Sequence, residues 1–147
     1  ESHRHRRSFH LWMHSLTSKG KVRNMAPMQI ERLNFDEKER PYSQAVRVGG
    51  FVYTAGVSVA EPGDEIEVQT EKTIDALADV LKQAGSDLEH LVKANVFLAD
   101  ITEWGRFNQV WLRYFPTEKP VRTTTEVGHF SGPIRIEIDF VAVVAEE

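Results

Sequence analysis

The run Ile134–Val144, "IRIEIDFVAVV", decides the fold. Its residues alternate, and a period of two puts successive side chains on opposite faces of a strand. Ile134, Ile136, Ile138 and Phe140 share one face, which needs a cover of helices. The other face carries Arg135, Glu137 and Asp139, then turns apolar at Val141 and Val143. A sheet covered on one side only is expected to be polar along the whole of its other side. An apolar stretch there, in a chain of 147 residues, points to self-association. Glu137 falls where the wet part of that face gives way to the apolar part, a suitable place for a working carboxylate.

The remaining elements follow from the same periodicities. Met28–Asn34, "MQIERLN", alternates weakly and predicts a first strand. "AVRVGGFVYTAGV" predicts strands at 45–48 and 51–57, joined at Gly49-Gly50, where either glycine can take a positive φ. Ile74, Leu77, Ala78 and Leu81 recur at helical spacing and predict a helix over 70–84, ended by Gly85. "SDLE" (86–89) has capping-box spacing for a short helical turn, and "LVKANVFLA" (91–99) reads as a buried strand. "DITE" (100–103) caps a second helix running to about Phe115, with Trp104, Phe107, Trp111, Tyr114 and Phe115 as its apolar stripe. Pro116 and Pro120 bracket a loop, and Thr123–Phe130 is the strand before the last. Six strands and two helices in this order predict an α+β two-layer domain with both helices on one face. The last two strands, joined through "SGP" (131–133), are expected to be neighbours.

Composition sets the outer bounds. Hydrophobic residues at 41% and charged residues at 27% fit one globular domain. No apolar run approaches the roughly eighteen residues of a membrane span. The absence of cysteine excludes disulfides, thiolate catalysis and cysteine-ligated zinc, and suits a reducing, cytoplasmic setting. Six of the 18 basic residues and one of the 22 acids fall in residues 1–27, so 28–147 holds 12 against 21, a formal −9. Such a body repels phosphate backbones and argues against nucleic acid as a partner. Residues 1–27, basic and holding four of the six histidines, read as a leader outside the fold. The domain is expected over 28–147. Because the chain starts with Glu, with Met25 and Met28 as natural starts, the leader is expected to be a tag, upstream-translated sequence or an organellar presequence.

Three side chains are candidates for chemistry. Arg122, in "PVRTTTEV" (120–127), follows the Pro120 turn at the mouth of a strand. It is either a solvated surface residue or a planar fork matched to a carboxylate. Glu137 lies fifteen residues further on. If their strands pair, the two form either an exposed ion pair worth under about 1 kcal/mol or a working pair. Tyr42, in "RPYSQ", is a turn tyrosine that reads as packing or as a pocket wall. His90 and His129 have no evident partners for a Ser-His-Asp arrangement, and no Gly-rich phosphate loop supports a dinucleotide site.

Taken together, "PYSQAVRVGGFVYTAG", "ADVLKQAGSDLEHLVKANVFLADITEW", "FNQVWLRYF" and "PVRTTTEV…IRIEIDFVAV" resemble the RidA/YjgF family of reactive-intermediate imine deaminases, in order from about residue 36 to 145. The resemblance implies a chorismate-mutase-like homotrimer, with sheets facing a central barrel, helices outside and sites between subunits. It implies hydrolysis of 2-imino and 2-enamino acids, such as 2-aminoacrylate, to keto acid and ammonia, with no metal or organic cofactor. On the matching positions, Arg122 holds the substrate carboxylate and Glu137 directs water. Tyr42 helps to close the pocket, Gly56 and Thr124 line it with main chain, and Asn108 supports it from the second helix. Three positions depart from the family pattern: Val57 follows "TAG" where relatives carry Gln, Arg40 replaces the Gly before Pro-Tyr, and His129 stands near the site entrance. They bear on the substrate, since a more apolar or larger pocket favours bulkier imines. One rival reading is a deaminase for a larger, aminomuconate-type substrate. Another is a non-catalytic trimer that binds keto or imino acids, or another protein, as a regulator or chaperone. Nuclease activity, attributed to relatives, fits the −9 body poorly.

Overall fold

The computed structural model describes residues 27–145. Apart from Pro27, the expected leader lies outside the described residues. The chain forms β1 (Ile30–Leu33), β2 (Ala45–Val48), β3 (Phe51–Thr54), α1 (Ile66–Gln83), β4 (Leu91–Leu98), α2 (Trp104–Tyr114), β5 (Val121–Glu126) and β6 (Ile136–Val143). The strands make one mixed sheet in the order β1-β2-β3-β6-β4-β5, with β4 and β5 parallel and every other pair antiparallel. Both helices cover one face, as the alternation in β6 requires. Beneath them Ile136, Ile138, Phe140 and Ala142 are buried with Val52, Ala94, Val96 and Leu98, against Ile74, Leu77, Leu81 and Phe107 of the helices.

The last two strands are not neighbours. β6 enters the centre of the sheet between β3 and β4, and β5 is the edge beyond β4. α2 carries the chain over the helical face from β4 to β5, and such a crossover returns the strand parallel. The polar run "VRTTTE" of β5 suits an edge, whereas β6, wholly buried on its helix side, suits the centre. The connection between them, 127–135, is too long for a hairpin turn.

α1 begins at Ile66, four residues before the expected start at Thr70. Its first turns are buried through Ile66, Gln69 and Thr70, two of them polar and therefore silent in a hydrophobic pattern. Gln69 is satisfied inside: its amide donates to the Pro133 carbonyl at 2.8 Å, and its Oε1 accepts from the Arg135 N–H at 2.8 Å. The short turn at 88–90 is capped by Asp87 rather than Ser86, which instead donates to the Val143 carbonyl at 2.6 Å. Asp100 caps the next turn as expected. Arg135 leaves the open-face pattern because it precedes β6. Its guanidinium joins Glu65 and Glu103, and Arg106 meets the same two acids, fastening the start of α2 to the start of α1.

The face away from the helices has no cover from the described residues. Phe51 and Tyr53, in register with Val143 and Val141, are 40% and 45% exposed. The apolar half of that face, expected from β6 alone, therefore spreads across β3.

Candidate active site

Glu137 owes its setting to a fault in the sheet. Tyr53 pairs with Val141 but Val57 pairs with Ile138, four steps along one strand against three along the other. One extra residue is accommodated between them, a β-bulge. Within it, Thr54 Oγ1 accepts from the Phe140 N–H at 2.9 Å. The strand expected to reach Val57 thus ends at Thr54, and the shift turns Val57 inward beside Ile138. Gly56 then lies against Glu137. A Cβ on Gly56 would stand 2.6 Å from Glu137 Oε1 and 2.9 Å from its Cδ, so only glycine admits the carboxylate. Ser58 Oγ donates to the other carboxylate oxygen at a long 3.4 Å. Tyr42, 55% exposed, forms a depression of about 250 Å³ with Ala55, Gly56 and Glu137. These four also line a cleft of about 500 Å³ that extends to Arg40, Val57 and the α1 residues Asp79 and Val80.

Gly56→Ala is expected to displace the Glu137 side chain, costing about 1–3 kcal/mol of stability through overpacking. Placed on a Glu137→Ala background, the same change should lose most of that cost in thermal unfolding. Equal costs in both backgrounds would mean that Gly56 is constrained by something other than this carboxylate.

Arg122 sits elsewhere. β5 runs parallel to β4 with Arg122 beside Ala94 and Thr124 beside Val96, both fully buried under the helices. Arg122 therefore points to the helix side. Its guanidinium carbon lies 4.9 Å from the ring centre of Trp111, 5.0 Å from Phe107 and 5.8 Å from Trp104. The aromatic stripe of α2, read from sequence as core, is also the bed of this cation. No carboxylate lies within ion-pair distance of Arg122 among the described residues, and partial burial alone pushes its pKa below the usual arginine value. A half-buried cation without a counter-ion is costly to keep and ready to accept an anion. Thr124 Oγ1 is buried with no hydrogen-bond partner among the described residues. Thr124→Val, which removes that orphan hydroxyl at nearly constant shape, is expected to add about 1 kcal/mol to stability and to leave turnover intact. Asn108 is half-buried on α2, one residue past Phe107.

The six candidates thus form two groups. Tyr42, Gly56 and Glu137 come together at the bulge; Arg122 and Thr124 share the helix side of β5, and Asn108 is on α2 next to Phe107, one of the rings that face Arg122. Arg122 shares its row with Ala94 and Phe140, while Glu137 is three residues from Phe140, on the opposite face and two strands away. That geometry separates the two backbones by roughly 14 Å. The cross-strand pair allowed by neighbouring strands does not exist, because β4 intervenes. His129 is exposed in the 127–135 connection, and Arg40 forks onto Asp36. Sequence reasoning missed the bulge; its only trace is that "YTAGV" continues past the point where β2 stops pairing.

Fold and side chains together define a class: a two-layer α+β domain bearing an uncompensated arginine near one edge and a glycine-backed carboxylate on its central strand. The chain belongs to the RidA/YjgF family, whose model, described as endoribonuclease L-PSP, matches residues 35–144. The mitochondrial protein mmf2 of Schizosaccharomyces pombe is 40% identical over 109 residues, spanning 69% of this chain and 86% of that one. The chloroplastic Reactive Intermediate Deaminase A of Arabidopsis thaliana is 32% identical over 110 residues, spanning 71% of this chain and 59% of that one. The crystal structure of yeast Mmf1 superposes with a TM-score of 0.73 at 27% identity, over 80% of this chain and 100% of that one. Family membership supports a hydrolytic, deaminase-type activity on reactive imino acids.

Proposed function

We propose that this protein hydrolyses 2-imino and 2-enamino acids of the 2-aminoacrylate type, as a homotrimeric, chorismate-mutase-like barrel with its sites between subunits. Each site then joins Arg122 of one subunit to Glu137 of the partner subunit. The observation that carries this reading is the pair of incomplete half-sites: a cation on its aromatic bed and a carboxylate across the sheet, neither with an ion-pair partner among the described residues. An open apolar face gives the subunits a reason to meet.

In this arrangement the Arg122 fork holds the substrate carboxylate and fixes the C=N carbon in front of a water on Glu137 of the partner subunit. Water adds to that carbon as Glu137 takes its proton, and the imine nitrogen is protonated, giving a carbinolamine. A further proton reaches the nitrogen, the C–N bond breaks, the hydroxyl loses its proton to form the keto group, and ammonia leaves. Imines hydrolyse readily, so positioning and one acid–base group are enough, without a covalent intermediate. Tyr42 and the main chain at Gly56 and Thr124 complete the walls.

The test is ammonia release from imines generated in place by an amino-acid oxidase, over side chains of increasing size. Acceleration above the buffer rate is the expected result. Keto-acid binding without acceleration would favour the non-catalytic reading.

A further inference from the structure

We infer that Arg40 is a positioning residue for substrate affinity: through Asp36 it fastens the loop that holds Tyr42 at the Glu137 cleft. This rests on the deaminase reading above.

The loop between β1 and β2, 34–44, is eleven residues long, and its ends are held by the pairing of Leu33 with Ala45. Its base is closed by two side chains. Phe35 N–H donates to Gln44 Oε1 at 2.7 Å, and Gln44 N–H donates to Asn34 Oδ1 at 3.2 Å. Its tip is closed by Asp36, which accepts from the Lys38 N–H at 3.0 Å and from both arms of the Arg40 guanidinium at 2.5 and 2.8 Å. One arm also donates to the Lys38 carbonyl at 3.3 Å. The loop is a compact Ω-loop that supplies its own internal bonds. The pair is partly shielded, Arg40 being 20% and Asp36 38% exposed, and Arg40 holds the Asp36 carboxyl down to about 2.

Tyr42 follows at once. Pro41 fixes the backbone between the clasp and the ring, and Tyr42 is itself more than half exposed. Little packing is therefore left to place the tyrosine; the loop places it. Arg40 lines the same cleft as Glu137 and Tyr42, so the clasp forms one rim of the site. A contact made by Tyr42 to bound substrate persists into the transition state, and loss of such a contact appears in KM rather than in kcat.

Arg40→Ala and Asp36→Ala are each expected to raise KM for imino acids about three- to tenfold, with kcat within about twofold. The double variant Asp36→Ala/Arg40→Ala should be no worse than either Ala single, and the charge-swapped Asp36→Arg/Arg40→Asp should recover part of the affinity. Faster hydrogen exchange across 34–44 in the single variants, with the melting temperature nearly unchanged, reads the clasp without using activity. Unchanged KM and unchanged exchange in both single variants would overturn the inference, as would additive effects in the double. If exchange rises but the wild-type protein never accelerates ammonia release, the clasp stands and the affinity role falls with the deaminase reading.

Discussion

Arg122→Ala is expected to cut kcat/KM for imino acids by roughly 10²–10³-fold, the loss of about 3–4 kcal/mol of charge-assisted fork binding. Its stability should move by less than about 1 kcal/mol, because two opposed effects nearly cancel. The variant loses the stacking of the guanidinium on Trp104, Phe107 and Trp111, worth about 0.5–2 kcal/mol. It also sheds the desolvation of a half-buried cation that no carboxylate among the described residues offsets. An arginine kept for stability would behave the other way, with a large change in melting temperature and little change in turnover. Arg122→Lys should recover little, since an ammonium has neither the planar fork nor the stacking face. The indoles of Trp104 and Trp111 provide a direct reading: keto-acid binding should change their fluorescence in the wild type and fail to do so in Arg122→Ala. Full turnover in the alanine variant would remove the carboxylate grip from the mechanism.

Mixing two dead variants should restore activity. Within one chain Arg122 and Glu137 lie on opposite sides of the sheet with β4 between them, so in the proposed trimer a shared substrate draws them from different subunits. In a ring formed by unfolding and refolding Arg122→Ala together with Glu137→Gln, about one site in four receives its intact arginine from one variant and its intact glutamate from the other. Recovery of about a quarter of wild-type turnover is therefore expected, from a mixture whose components are each inactive. A site built within a single chain gives no recovery at any ratio. Refolding the two together lets their subunits mix within one assembly.

The parts of the fold written in local pattern were legible: the alternation of β6, the helical spacing from Ile74 to Leu81, the Gly49-Gly50 turn and the cap at Asp100. Strand order was not, because periodicity gives faces and leaves neighbours open. The "SGP" turn between β5 and β6 looked like a hairpin, and only the α2 crossover shows why the two strands part. The early start of α1 escaped notice because Gln69 and Thr70 are polar residues satisfied inside the protein. For the candidate site, Arg122, Glu137 and Tyr42 stood out in the sequence itself and Gly56, Thr124 and Asn108 came with the family resemblance, but the way the six divide came with neither. The bulge at 54–56 shifts register by one residue, and no single side chain announces it. Arg122 was read as standing at a strand mouth beside a carboxylate, whereas α2 supplies it with three rings instead.

The place of β6 has a cost during synthesis. Among the described strands, the one that holds the middle of the sheet is also the last to be made. Until it arrives, β1–β3 and β4–β5 are separate ribbons, each with a bare hydrogen-bonding edge where β6 will pair. A chain stopped by a premature stop codon upstream of Ile136 would be an aggregation hazard rather than a slightly weakened protein, and cellular proteolysis has a sharp criterion for removing it.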